Sequence, residues 1–240
     1  MNKLRKGQLP PCLILAGGKG RRLGSITKKI PKPIVSINNK PFIKYQLEWL
    51  ISYGFTNFKF IVAYKKKKLI KVLKDFFHNK KYKFEVLEDN STGTFNAVLK
   101  NYKKLDNEFF YSNADEISPF KIKEMYKKFK KNKFDIMCAT LKSKDGNLVI
   151  SNKNLELANN FNLKKELYKD CGYKFIKKKI FRKINKKKFQ KIENFIYHEY
   201  SKLKPVGYFK IKNLPFRIDT PNDIKRTKFF LKRLKINWIE

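Results

Sequence analysis

A chain of 240 residues fits one domain of generous size, and 22 Phe and 12 Tyr within a 42% hydrophobic composition supply a packed core, which excludes whole-chain disorder. The formal net charge of +38 points, taken alone, to a polyanion such as nucleic acid or an anionic membrane surface. Only seven of the 58 cations are Arg, the residue whose fixed fork suits phosphate and guanine edges, so the lysines read instead as solvated faces and no specific nucleic acid partner is expected.

The first element is a short apolar strand, Cys12 to Ala16, running into the glycine-rich turn Gly17-Gly18-Lys19-Gly20; a buried strand delivering a loop to the end of a sheet fits this pattern. After Pro41, the positions Phe42, Tyr45, Trp49 and Leu50 fall near helical spacing, and Gly54 supplies a stop. The alternation repeats with a strand from Phe58 to Tyr64, a helix from Lys67 to Phe77 and a strand from Phe84 to Leu87, which implies parallel strands joined by crossover helices.

A helix from about Thr94 to Lys103 leads into the strand Phe109 to Ser112, which ends at Asn113-Ala114-Asp115. The helix after Pro119 carries Ile122, Met125, Tyr126 and Phe129, and the strand Asp135 to Leu141 follows. Lys144 to Asn147 is a turn signal, so the region up to about Phe175 is expected to add antiparallel strands to the sheet. Ile192 to Leu203 reads as a helix and Val206 to Ile211 as a strand. Thr220-Pro221-Asn222-Asp223 reads as a capped start to a last helix containing Phe229, Phe230 and Leu234.

No linker or repeat interrupts this order, so a single α/β domain over residues 1–240 is expected, with a mixed, mostly parallel sheet and helices on both faces. Three dispersed cysteines, Cys12, Cys138 and Cys171, suggest neither a disulfide framework nor a metal knuckle and fit a reducing cytoplasm. No apolar run approaches the length of a membrane span. His78 and His198 read as surface or helix-end residues, since nothing pairs them with a nucleophile.

Chemistry concentrates in Leu13 to Leu23, L-I-L-A-G-G-K-G-R-R-L, followed within one loop by Pro31-Lys32-Pro33. Glycines let backbone N–H groups approach a nucleotide, and Arg and Lys neutralise charge on a triphosphate under attack. A Lys between two prolines sits on a restricted backbone, which suits a fixed cation. Neither the Walker A pattern nor the dinucleotide fingerprint occurs. Asp115 follows a hydrophobic strand at its C-terminal edge, where open α/β sheets bind ligands.

Together these motifs closely resemble the signature of the sugar-1-phosphate nucleotidyltransferases (NDP-sugar pyrophosphorylases), and Gly24-Ser25-Ile26-Thr27 looks most like the short guanylyltransferases acting on D-glycero-α-D-manno-heptose 1-phosphate. The resemblance continues at Pro41-Phe42, Gly93-Thr94, Asn113-Ala114-Asp115, Gly172 and Asp219-Thr220-Pro221, spanning nearly the whole chain. It implies a three-layer, Rossmann-like nucleotidyltransferase (GT-A-like) fold. It also implies a bacterial enzyme that joins an NTP, best taken as GTP, to a sugar 1-phosphate for surface-polysaccharide synthesis, with release of pyrophosphate.

On these residues the resemblance implies a nucleotide enclosed by Leu15, Ala16, Gly17, Gly18, Gly20, Gly93 and Thr94. It implies Arg22 on the departing pyrophosphate, Lys32 bridging the reacting phosphates, and Mg²⁺ on Asp115 and Asp219. The acceptor would meet Asp170 and Gly172, with Lys165 or Lys164 in place of the Glu-Lys pair usual in the family. Departures are visible: Arg217 stands where the family's second metal carboxylate is usual, with Asp219 at a glycine position, and Asp170-Cys171-Gly172 replaces Asn-Ala-Gly. Asp219 is therefore either a ligand or a turn residue ahead of the Thr220 cap. Phe95 and Asn96 replace a glycine pair and bear on the choice of base. Alternatives are the same reaction with another base or acceptor, such as mannose, N-acetylmuramate or a phosphocholine-like alcohol, or a non-catalytic nucleotide- or polyanion-binding relative.

Overall fold

The computed structural model describes residues 8–89, 93–152, 154–158, 165–182, 184 and 189–233. Strand β1 (Cys12–Ala16) is followed by a 3-10 turn at Arg21–Leu23, a short helix α1 (Ser25–Lys29) and a second 3-10 turn at Lys32–Ile34. Next come β2 (Ser36–Ile37), β3 (Lys40–Pro41), α2 (Phe42–Ser52), β4 (Asn57–Val62), α3 (Lys66–Phe77) and β5 (Lys83–Glu88). The middle of the chain forms α4 (Thr94–Asn101), β6 (Glu108–Asn113), β7 (Glu116–Ile117), α5 (Ile122–Lys131), β8 (Ile136–Lys142), β9 (Leu148–Ser151), β10 (Asn154–Leu157) and β11 (Tyr168–Lys177). Last are α6 (Ile192–Phe195), a π-helical turn at Ile196–Tyr200, α7 (Ser201–Leu203), β12 (Gly207–Ile211), β13 (Phe216–Arg217) and α8 (Pro221–Arg233).

The α/β alternation expected from periodicity is present throughout. The segment read as one helix from Ile192 to Leu203 is instead broken by the π turn. The short pair β7 and β13 had no sequence signal, because two-residue strands carry no period. Leu234, and Asn162 to Lys164, lie outside the described residues.

Contacts group the chain into two compact units: Met1–Asp89, Ser112–Pro119 and Pro215–Glu240 in the first, Asn90–Tyr111 and Phe120–Leu214 in the second. In the first unit, β1, β4 and β5 pair in parallel, with Cys12 opposite Phe58 and Asn57 opposite Lys83. The run of β1 is continuously apolar and nearly all buried, as in strands covered on both faces, whereas β4 carries Lys59 and β5 alternates, leaving Lys83, Glu85 and Glu88 exposed. Helix α2 buries Phe42, Ile43, Tyr45, Gln46, Leu47, Trp49 and Leu50, and it ends where Gly54 takes a positive φ of 97°. Helix α3 buries Leu69, Leu73, Phe76 and Phe77 and turns its lysines outward, Phe77 stacking on Phe84 of β5 with ring centroids 4.7 Å apart.

In the second unit β11 is the organising strand. It pairs antiparallel with β8 and with β6, and β12 adds in parallel to β8. Strands β9 and β10 pair antiparallel with each other, in the region where antiparallel additions to the sheet were expected after the Lys144–Asn147 turn. Phe95, Phe109, Phe110, Phe129, Tyr111 and Tyr173 are fully buried there.

The register of β11 against β8 shifts between Asp170 and Lys174, a bulge in which Gly172 adopts a φ of +80°. Bulges bend a strand and re-aim its side chains, and they recur beside functional sites.

Candidate active site

In the first unit β1 ends at Ala16 and releases the glycine loop. Gly20 sits in the left-handed region at φ 62°, and a Cβ there would stand 3.0 Å from Thr27 Cγ2 and 3.1 Å from Lys32 Cβ. Only glycine fits both the dihedral and the space. The loop is pinned from α1: the Thr27 hydroxyl donates to the Gly20 carbonyl at 2.8 Å, and the Tyr64 hydroxyl donates to the Thr27 carbonyl at 2.9 Å. Gly18, Lys19, Arg21 and Arg22 are left exposed.

Between its prolines, Lys32 is 7% exposed, and its ammonium is bonded to Asp115 Oδ2 and to Asp219 Oδ1. Arg22, whose side chain is 70% exposed, reaches the same Asp219 oxygen at 3.0 Å. Burial raises the Asp219 pKa, but the Lys32 hydrogen bond and the charges of Lys32, Arg22 and Arg217 outweigh it and hold the carboxyl below its ordinary value. Four residues singled out from sequence, Arg22, Lys32, Asp115 and Asp219, are thus brought together.

The turn presenting Asp115 is held by a residue that sequence reasoning did not single out. Gln46 of α2 is fully buried, and its amide nitrogen donates to Ser112 Oγ at 3.1 Å, to the Asn113 carbonyl at 2.6 Å and to the Glu116 carbonyl at 2.8 Å. A buried Gln on an otherwise apolar helix face was the available signal. The Ile218 amide bonds to the Asp115 carbonyl at 3.2 Å, which sets Asp219 beside Asp115. Arg217, at the place usual for a carboxylate, lies opposite buried Glu116 in the β7–β13 register and donates from Nε to Glu116 Oε2 at 2.9 Å.

Among the described residues no group of three His, Cys, Asp or Glu is assembled for a metal ion. Two carboxylate oxygens from separate elements nevertheless meet on one cationic nitrogen, so both reach a single cation position. Mg²⁺ takes hard oxygen ligands, commonly one or two carboxylates, and completes its octahedron with water and phosphate, so the pair fits that ion.

The remaining expected residues fall in the second unit. Gly93 has φ 86°, and a Cβ there would lie 2.2 Å from the Gln190 carbonyl oxygen. Thr94 accepts a 3.1 Å hydrogen bond from the Ile192 amide at the start of α6. Lys165 is exposed and donates to Ser151 Oγ at 3.2 Å, and no bond joins it to Asp170. The bulge places Asp170 and Gly172 together: the Gly172 amide donates to Asp170 Oδ1 at 2.7 Å.

A model of the family described as Nucleotidyl transferase matches residues 12–147. The chain belongs to the nucleotidyl transferase family. A D-glycero-α-D-manno-heptose 1-phosphate guanylyltransferase from Campylobacter jejuni is 36% identical to this chain over 117 residues, covering 47% of this chain and 52% of the relative. A mannose-1-phosphate guanyltransferase from Saccharomyces cerevisiae is 34% identical over 119 residues, covering 47% and 32% respectively. The match thus spans about half the length of the first of these curated relatives and about a third of the second.

Two solved structures share the fold: HddC from Yersinia pseudotuberculosis, at 24% identity and TM-score 0.72, covers 93% of this chain and 100% of its own. The inositol-1-phosphate CTP transferase from T. maritima, at 18% identity and TM-score 0.76, covers 95% and 97%. Among the described residues no helix is long and apolar enough to cross a membrane.

Proposed function

We propose that this nucleotidyl transferase joins a nucleoside monophosphate, taken from an NTP, to a sugar 1-phosphate. An oxygen of the acceptor's phosphate forms a bond to the α-phosphorus as the α–β bridging bond breaks, and pyrophosphate leaves with that electron pair. The observation that carries this reading is the convergence of Lys32, Asp115, Asp219 and Arg22 beside a pinned glycine loop.

The exposed Gly18 and the half-buried Gly17 let the nucleotide approach the backbone closely, with Leu15 and Ala16 behind them; Gly93 and Thr94 are the other nucleotide contacts of this reading. Lys32 neutralises charge on the reacting phosphates, and Arg22 holds the departing pyrophosphate. Phosphoryl chemistry of this kind depends on placement and charge neutralisation more than on proton transfer, which matches a site made of cations and carboxylates. Asp115 and Asp219 would hold Mg²⁺, which supplies Lewis-acid stabilisation of phosphate charge. Arg217, tied to Glu116, leaves Asp219 as the second carboxylate.

The finer assignment is GTP with D-glycero-α-D-manno-heptose 1-phosphate, supported by the resemblance at Gly24 to Thr27 and by the Campylobacter relative. Mannose 1-phosphate is the second acceptor to try, because guanyltransferases for that sugar match at similar identity. Pyrophosphate release is to be measured with Mg²⁺, five NTPs and a panel of sugar 1-phosphates, with Lys32→Ala as control. Turnover with one pair, lost in the variant, supports the transferase; silence across the panel with salt-sensitive polyanion binding favours a non-catalytic binder.

A further inference from the structure

The second unit contains a buried ion cluster that the sequence pattern did not reveal. Lys174 is 0% exposed, yet its ammonium bonds Asp170 Oδ1 and Glu193 Oε1, each at 2.9 Å, and lies 5.1 Å from the Tyr111 ring centroid. In a regular strand, residues four apart are separated by about 13 Å. The bulge at Gly172 is what folds Asp170 back onto Lys174. The π turn after α6 delivers Tyr197, whose hydroxyl donates to Asp170 Oδ2 at 2.6 Å.

Burial works to lower the Lys174 pKa, but Asp170 and Glu193 outweigh it and hold the ammonium well above a lysine's ordinary value. Burial and the Asp170 charge push the Tyr197 phenol up as well, so its proton stays on the donor. Asp170 thus accepts three hydrogen bonds in this cluster, from the Gly172 amide, the Lys174 ammonium and the Tyr197 hydroxyl. The Asp170 side chain keeps 11% exposure and Glu193 29%, so part of each acidic side chain remains accessible while the lysine does not.

An amide at position 170 could flip and offer either a donor or an acceptor. A carboxylate clamped by three donors offers acceptors only. Resting on the sugar-phosphate reading above, we infer that Lys174 and Tyr197 position Asp170 as an obligate acceptor, so that the enzyme selects acceptors presenting a hydroxyl there and rejects those in which that oxygen is alkylated or missing. Lys174 is a positioning residue in this scheme, since it is sealed from any ligand.

The test uses the purified chain and the sugar 1-phosphate it turns over, compared with analogues in which single hydroxyls are replaced by hydrogen or by O-methyl. With the wild type, one position is expected to lose about 10²-fold or more in acceptor kcat/KM on either replacement, as sites built to bond a hydroxyl do. In Lys174→Met and Asp170→Asn that loss shrinks severalfold, while the NTP KM stays at its wild-type value. If Lys174→Met does not fold, the triple variant Asp170→Asn, Lys174→Met, Glu193→Gln, which strands no charge, carries the same comparison. Equal rates with all analogues, or unchanged selectivity in the variants, overturn the inference while leaving the transferase reading intact. A wild type inactive with every sugar 1-phosphate overturns both.

Discussion

Each unit of the molecule holds a buried lysine between two carboxylates, and the two arrangements differ in what surrounds them. Lys32 sits between Asp115 and Asp219 with its side chain 9% exposed, and the carboxylates are 29% and 18% exposed, beside an Arg22 that is 70% exposed. Lys174 is wholly enclosed, and one of its two partners, Asp170, is further fixed by a backbone amide and a tyrosine hydroxyl. On the function proposed above, the first cluster is open enough for its lysine to trade carboxylates for phosphate, and the closed second cluster serves as a fixed template. The same three charges serve exchange in one place and rigidity in the other, and exposure decides which.

The widest separation between the two is expected in Lys174→Met. Removing a buried cation strands two carboxylates, a loss of about 3–5 kcal/mol. Denaturant unfolding would register it, and the neutral triple variant should recover most of the loss. Lys32→Ala should behave oppositely, with turnover falling about 10²- to 10³-fold, as when a group stabilising transition-state charge is removed, and a smaller change in unfolding midpoint. Similar stability losses in both variants would erase the distinction drawn here.

Asp135 sharpens the comparison through pH. It is buried, bonded to Lys177, Lys179 and Tyr200, and although burial raises its pKa, those partners hold it below an aspartate's ordinary value. A depressed native pKa means the stabilisation is fully present above the unfolded value and is lost as pH falls through the native one. Asp135→Asn should cost about 2 kcal/mol at neutral pH, and the gap from wild type should close in acid unfolding below pH 3.8. The smallest effect belongs to the first unit's capping box: the Thr220 hydroxyl accepts from the Asp223 amide at 3.2 Å, and Asp223 accepts from the Thr220 amide at 2.9 Å. Thr220→Ala should cost about 1 kcal/mol in thermal or denaturant unfolding, with turnover kept.

Legibility in the sequence followed the same division. The glycine loop, Lys32 between its prolines and the strand ending at Asp115 lie in contiguous stretches whose residue types announce their dihedrals and charges. Asp219 and Arg217 stayed ambiguous because their roles depend on the β7–β13 register, which pairs Arg217 with Glu116 across about a hundred positions of chain. Lys174 was hidden among 58 cations. Nothing local separates it from its neighbours, because its burial comes from a bulge, a π turn and a glutamate nineteen residues away. Gln46 was overlooked for a related reason: helical periodicity marks the face it occupies but not the polar turn that it meets.

The π turn carries a further consequence. Five residues, Ile196–Tyr200, occupy a wider coil than an α-helix would use, and this single segment reaches two carboxylates, Tyr197 bonding Asp170 and Tyr200 bonding Asp135. Deleting one residue there would rotate everything beyond it by about 100° about the helix axis and carry Tyr200 off Asp135. Segment length is thus a ruler: in this chain the extra residue of the π turn is what lets both tyrosine anchors reach their carboxylates at once.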